Sequence, residues 1–194
     1  MKRYFAMIPV FLVIPIFAYG ATWQIDPDHS SIQFKVRHLM VSNVKGDFTK
    51  VKGMITIDEQ KITNLKVDIT IDAASVNTGH AKRDEHLRNA DFFDVTKYPT
   101  ITFVSKKIER TGASTLKVTG DLMIRGVTKE IAVDVEGPTA EVKDPGGNFR
   151  RGATATAKIN RQDFGIMWNR VLDTGGVVVG DEVNINVEVE LVKK

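Results

Sequence analysis

The stretch Glu182-Val183-Asn184-Ile185-Asn186-Val187-Glu188-Val189-Glu190-Leu191-Val192 decides the fold of this chain. Aliphatic and polar residues alternate strictly from Glu182 to Leu191. Successive side chains of a β-strand point to opposite faces, so the run has one oily side and one wet side. The same alternation recurs through Val51, Gly53, Ile55 and Ile57, and through Leu65, Val67, Ile69 and Ile71. It continues through Leu116, Val118, Leu122 and Ile124, and through Ile131, Val133 and Val135. Ile32, Phe34, Val36 and His38 share one parity, as do Ala153, Ala155, Ala157 and Ile159. Many half-buried strands joined by short turns make a sandwich or a closed barrel. A barrel of about eight strands can enclose one ligand.

The first twenty residues follow a different logic. Lys2 and Arg3 precede a nearly unbroken apolar run from Phe5 to Phe17, and Ala18-Tyr19-Gly20 follows with small residues at the −3 and −1 positions of a cleavage site. That is the layout of a secretory signal peptide cleaved after Gly20, with residues 21–194 as the mature domain. The run is short of the ~20 residues of a membrane span. Pro9 and Pro15 interrupt it as well.

The 194-residue chain has no cysteine and a net charge of +3. Lys2 and Arg3 supply two of those charges, so the remainder is close to neutral. A domain of this length needs no disulfide staples. The concentrated basic surface of a nucleic-acid binder is absent from the pattern, because Lys50, Lys52, Lys61 and Lys66 mark the solvent faces of strands.

Along the mature chain, strands are expected at Ala21–Ile25, Ser31–His38, Phe48–Asp58 and Leu65–Ser75. Leu39–Val44 reads as an irregular connection or a single helical turn. His80, Arg83, Asp84 and Leu87 have helical spacing, with Thr78 as the expected N-cap. Further strands are expected at Leu116–Arg125, Thr128–Glu136 and Glu182–Val192. Gly165–Gly176 reads as a loop or short helix.

The mature chain resembles the YceI-like family of exported lipid-binding proteins. The matching pieces are Trp23-x-Ile25-Asp26 with His29-Ser30, Phe34-x-Val36-x-His38, and Arg83-Asp84-x-His86-Leu87. Phe92-Phe93-Asp94, Tyr98-Pro99, Gly120-x-Leu122-x-Ile124-Arg125-Gly126 and Arg161-x-Asp163-Phe164-Gly165 follow in order. The resemblance implies an all-β, lipocalin-like antiparallel barrel of about eight strands with one helix packed against it. It implies a periplasmic protein that sequesters or transports a long-chain polyisoprenoid lipid, with an isoprenoid quinone as one form of that cargo.

Phe34, Val36, Phe48, Ile55, Ile57, Ile69, Ile71, Phe103, Leu122 and Ile124 are the expected lumen residues on strands. Phe92, Phe93, Phe164, Met167 and Trp168 are expected to cover one mouth. The plainer alternative is a solid core. His38, Arg83 and His86 are candidate head-group contacts, since the guanidinium fork suits an anionic oxygen. Against this stands a role for Arg83 or Asp84 in tying the helix to the barrel. Arg161 and Asp163 are candidates for a buried pair.

No metal site or cofactor is expected: the four histidines lack metal-ligand spacing and no cysteine helps them. No catalytic residues are assigned. His29-Ser30 beside Asp26 and Asp28 contains triad residue types, which keeps an exported hydrolase as an alternative. A fatty acid or fatty amide would suit the same lumen. A homodimer and a membrane redox partner, for which the lipid would be a shuttled quinone, stay open.

Overall fold

A computed structural model describes residues 20–173 and 175–194. The expected signal peptide lies outside the described residues, apart from Gly20. Among the described residues no helix is long and apolar enough to cross a membrane.

Among the described residues twelve strands follow in chain order: β1 (Ala21–Ile25), β2 (Ser31–His38), β3 (Ser42–Phe48), β4 (Val51–Ile57), β5 (Lys66–Asp72) and β6 (Val76–Asn77) come first. After helix α1 (Ala81–Arg88) come β7 (Thr100–Arg110), β8 (Thr115–Ile124), β9 (Val127–Glu136), β10 (Val142–Lys143), β11 (Phe149–Asn160) and β12 (Val179–Lys193).

These close into an eight-stranded antiparallel barrel, β1-β4-β5-β7-β8-β9-β11-β12, with β12 returning to β1. Three staves are broken and continue further along the barrel. β12 pairs with β1 at its C-terminal end, and with β2 over its N-terminal half. β3 carries on from β4 beside β2, and β6 carries on from β5 beside β3. Two of the breaks, β1 to β2 and β5 to β6, fall where a polar side chain caps a short 3-10 turn. Asp26 accepts from the Asp28 amide, and Asp72 from the Ala74 amide.

Three expectations are corrected here. The strand expected from Phe48 to Asp58 is two strands separated at Thr49–Lys50. Leu39–Val44 is a hairpin rather than an irregular connection, with β3 already running from Ser42. The helix begins later than expected, because the His80 side chain rather than Thr78 accepts from the Arg83 amide. His86 and Arg88 in its last turn complement the helix dipole. Arg88 ties α1 to the barrel by donating to the carbonyls of Ala74 and Val76, each at 2.8 Å.

The seam between β9 and β11 is incomplete. Only Thr154–Thr156 pairs with Asp134–Glu136. From Val127 to Val133, β9 is laddered to β8 alone among the described residues. A 3-10 turn, Arg161–Phe164, packs against β9, β11 and β12 and buries Phe164.

Candidate functional site

The inward faces do not meet in the middle. They enclose a cavity of about 410 Å³ whose wall is almost wholly hydrocarbon. Sequence sets this width locally. Ala153, Ala155 and Ala157 face inward on β11, in register with Val189, Val187 and Ile185 of β12. Short side chains on one stave leave space that a leucine or phenylalanine would fill.

Of the expected lumen residues, Phe34, Val36, Phe48, Ile55, Ile57, Ile69, Ile71, Phe103, Leu122 and Ile124 all line this cavity. So do Phe92, Phe93, Phe164 and Trp168 from the connections. Met167 does not, and its expected place in the mouth is corrected. The chain is extended here, so Ile166 is buried while Met167 points to solvent. The sequence reading missed the β11 and β12 contribution to the wall. The Ala-x-Ala-x-Ala-x-Ile alternation was the signal that could have found it.

One end is closed by aromatic rings. Phe92 and Trp168 lie 5.3 Å apart, and the His86 ring meets both edge-on, at 4.9 and 5.1 Å. Phe48 meets Phe93 edge-on at 5.6 Å and Phe34 at a tilt at 5.8 Å. The polar side chains of the wall gather largely at this end: Arg37, His38, Arg83, His86 and Arg161.

Their hydrogen bonds sort their roles. Arg83 donates through Nε to Thr78 Oγ1 at 2.7 Å and through Nη2 to the Thr78 carbonyl at 3.0 Å. Thr78 in turn donates to buried Asp84. Arg83 and Asp84 are thus linked through Thr78. His86 Nε2 lies 2.9 Å from Asp91 Oδ2. His38 and the Nη1 of Arg83 enter no side-chain hydrogen bond among the described residues, leaving both able to face a ligand.

Arg161 is buried and does not pair with Asp163, which is exposed. It donates to the carbonyls of Gly180, Ile166, Trp168 and Val179, and to Asp181. Burial pushes its pKa down and the Asp181 carboxylate opposes that. An arginine stays charged under such a shift. It organises the whole 161–180 connection.

The triad types around Ser30 form no nucleophile-base pair. Ser30 Oγ is turned to the backbone of Glu190, accepting from its amide at 3.0 Å. His29 Nδ1 lies 3.0 Å from Asp26 Oδ2. Asp26 is also held by Arg150 at 2.7 Å, and Arg150 bonds Asp144 and Glu190 as well. Asp26, His29 and Glu190 lie close enough to suggest a metal site. The Arg150 guanidinium already occupies the space between the two carboxylates.

Fold and cavity together define a class: a closed, lipocalin-like β-barrel built around an internal apolar chamber. The YceI-like domain matches residues 23–191, and the chain belongs to that family. A UPF0312 protein of Shewanella baltica is 37% identical over 191 residues, covering 97% of this chain and 96% of that one. A UPF0312 protein of Staphylococcus aureus is 38% identical over 165 residues, covering 85% and 94%. The crystal structure of BcnA from Burkholderia cenocepacia superposes with a TM-score of 0.73 at 25% identity, covering 86% of this chain and 98% of that one. The Campylobacter jejuni YCEI protein gives 0.68 at 38% identity, covering 81% and 89%. A polyisoprenoid binding domain from Saccharophagus degradans shares the fold, with a TM-score of 0.65 at 17% identity over 90% of this chain and 99% of that one.

Proposed function

We propose that this protein is exported to the periplasm and there holds and carries a long-chain isoprenoid lipid in the barrel lumen. The observation that carries the reading is the hydrocarbon-walled chamber inside a closed barrel, with polar groups collected largely at one end. Removing an apolar tail from water is worth about 25 cal/mol per Å², or roughly 0.8 kcal/mol per methylene. Such burial needs no hydrogen bond, so the wall offers few. His38 and Arg83 are the groups assigned to the lipid head. The shared fold with a polyisoprenoid binding domain supports this class of cargo. The incomplete β9–β11 seam, against which the Arg161–Phe164 turn packs, offers a side route for a tail too long to thread end-on.

The test is native mass spectrometry of protein purified without detergent, followed by extraction and identification of any lipid. A stoichiometric isoprenoid supports the reading. Phe103→Asp and Ile124→Asp should then lose it. An empty protein that takes up no added polyprenyl lipid, or folded variants with unchanged retention, would sink the assignment.

A further inference from the structure

We propose that the β2–β3 hairpin docks the barrel onto an anionic lipid bilayer, presenting the chamber to the membrane that supplies its cargo. The inference deepens the lipid-carrier reading and rests on it for the purpose of docking, though not for docking itself.

The hairpin tip is built against the usual rules. Leu39, Met40 and Val41 form the loop, closed by the Val41 amide donating to the His38 carbonyl at 3.1 Å. Leu39 and Met40 have φ of +49° and +61°. Asn and Gly suit two such positions, while larger L-residues are strained there. Two apolar side chains nevertheless occupy them: Leu39 is 38% exposed and Met40 51%, and Val41 beside them is 75% exposed.

The patch does not stop at the tip. The Leu39 amide donates to the Val178 carbonyl at 2.8 Å, and Met40 Cγ lies against Gly176. Val171, bridged to Val177 in that same connection, is 83% exposed. Among the described residues, the other exposed large apolar side chains are Met167, on the same 161–180 connection, and Met54, Val104, Val142 and Phe149, on or beside other strands. An apolar patch of this kind marks an interaction surface.

Charge selects the bilayer as occupant. From Lys35 to Lys45 the hairpin carries Lys35, Arg37 and Lys45 and no acidic residue. None of the three is in an ion pair among the described residues, neighbouring Asp181 and Glu182 are committed to Arg161 and Lys158, and exposed Asp173 on the adjoining connection is outnumbered by the three cations. An apolar tip backed by basic residues matches the acyl boundary and phosphate layer of an anionic membrane. The chamber wall reaches Arg37, His38 and Val178 directly beneath the tip, so docking would set the lumen against its lipid source.

The experiment uses residues 21–194, the expected mature domain, which contain every strand of the barrel, so that the apolar N-terminal run contributes nothing. Sedimentation with phosphatidylethanolamine–phosphatidylglycerol vesicles is compared with pure phosphatidylcholine vesicles. The protein should prefer the anionic vesicles, and salt should weaken it. Leu39→Asn with Met40→Gly should weaken binding at least roughly tenfold, as should Lys35→Glu with Lys45→Glu. The Asn-Gly variant should keep or raise the melting temperature, since it relieves the turn. It should still accept polyprenol delivered from cyclodextrin while losing uptake from vesicles. Failure of the unaltered protein to bind, or full binding by the Asn-Gly variant, overturns the proposal, the former leaving the patch to a protein partner. Vesicle binding without polyprenol uptake from any source would uphold docking and sink the cargo reading instead.

Discussion

The guanidinium of Arg161 donates to the main-chain carbonyl of Trp168 at 2.9 Å, and through that bond the lid of the chamber is fixed from beneath. The same side chain binds the carbonyls of Ile166, Val179 and Gly180. Arg161→Met would leave these acceptors and the Asp181 carboxylate without their donor. The expected cost is about 3–5 kcal/mol, typical of breaking a buried charged network. Urea unfolding measures it. Hydrogen exchange should show new opening confined to residues 161–180, and a variant as protected as the parent there would refute the anchoring role.

Gly120 marks a place where β8 cannot carry a side chain. A Cβ there would sit 2.5 Å from the Val104 carbonyl oxygen and 2.7 Å from Phe103 Cζ. It lies beside the irregularity in the β7 ladder between Ser105 and Lys107. The backbone contact cannot yield as a flexible side chain could. Gly120→Ala should therefore cost about 1–3 kcal/mol, read as a lower urea midpoint with an unchanged slope.

Arg150 gathers Asp26, Asp144 and Glu190, joining the start of the barrel to its last strand. The guanidinium holds the Asp26 carboxyl down to about 2, with His29 adding to the effect, and holds Asp144 at about 2 as well. A carboxylate with a lowered folded pKa binds fewer protons than its unfolded form. Its stabilisation is thus present above about pH 4 and is lost as pH falls toward 2. His29 works in the other direction. Asp26 raises its pKa, so its contribution is present below the ordinary imidazole range and fades as pH rises through the folded value. Unfolding midpoints measured from pH 5 to pH 2 should fall more steeply for the parent than for Arg150→Gln. Parallel curves would mean the cluster contributes no proton linkage.

Much of this was legible in the alternation alone. Ile55, Ile69 and Leu122 could be placed in the lumen because a two-residue period leaves each only one inward face. The hairpin at Leu39–Val41 was not legible, because apolar residues at positive φ carry none of the Asn-Gly chemistry that announces such a turn. Thr78 looked like a cap but receives Arg83 and supports Asp84 instead, a choice made by side chains five and six residues on. Arg161 was matched to nearby Asp163, while its partner Asp181 arrives only when β12 returns to the barrel. Met167 was placed inside because the loop containing it gave no period from which to read a face.

Ala155 tests the chamber most directly. It faces the lumen between Val187 on β12 and Val135 on β9. Phenylalanine at this position would extend into open volume rather than into packed atoms. Ala155→Phe should accordingly keep stability within about 1.5 kcal/mol of the parent, while occupying space the lipid tail needs. Lys158→Gln lies on the outer face of the same strand and should leave both properties nearly unchanged, within about 0.5 kcal/mol in stability. Native mass spectrometry of each variant after incubation with polyprenol reads lipid occupancy, and thermal unfolding reads integrity. Loss of lipid from a stable Ala155→Phe, with full occupancy of Lys158→Gln, is the expected pair of results. A folded Ala155→Phe that still loads to full stoichiometry would place the binding site outside the barrel.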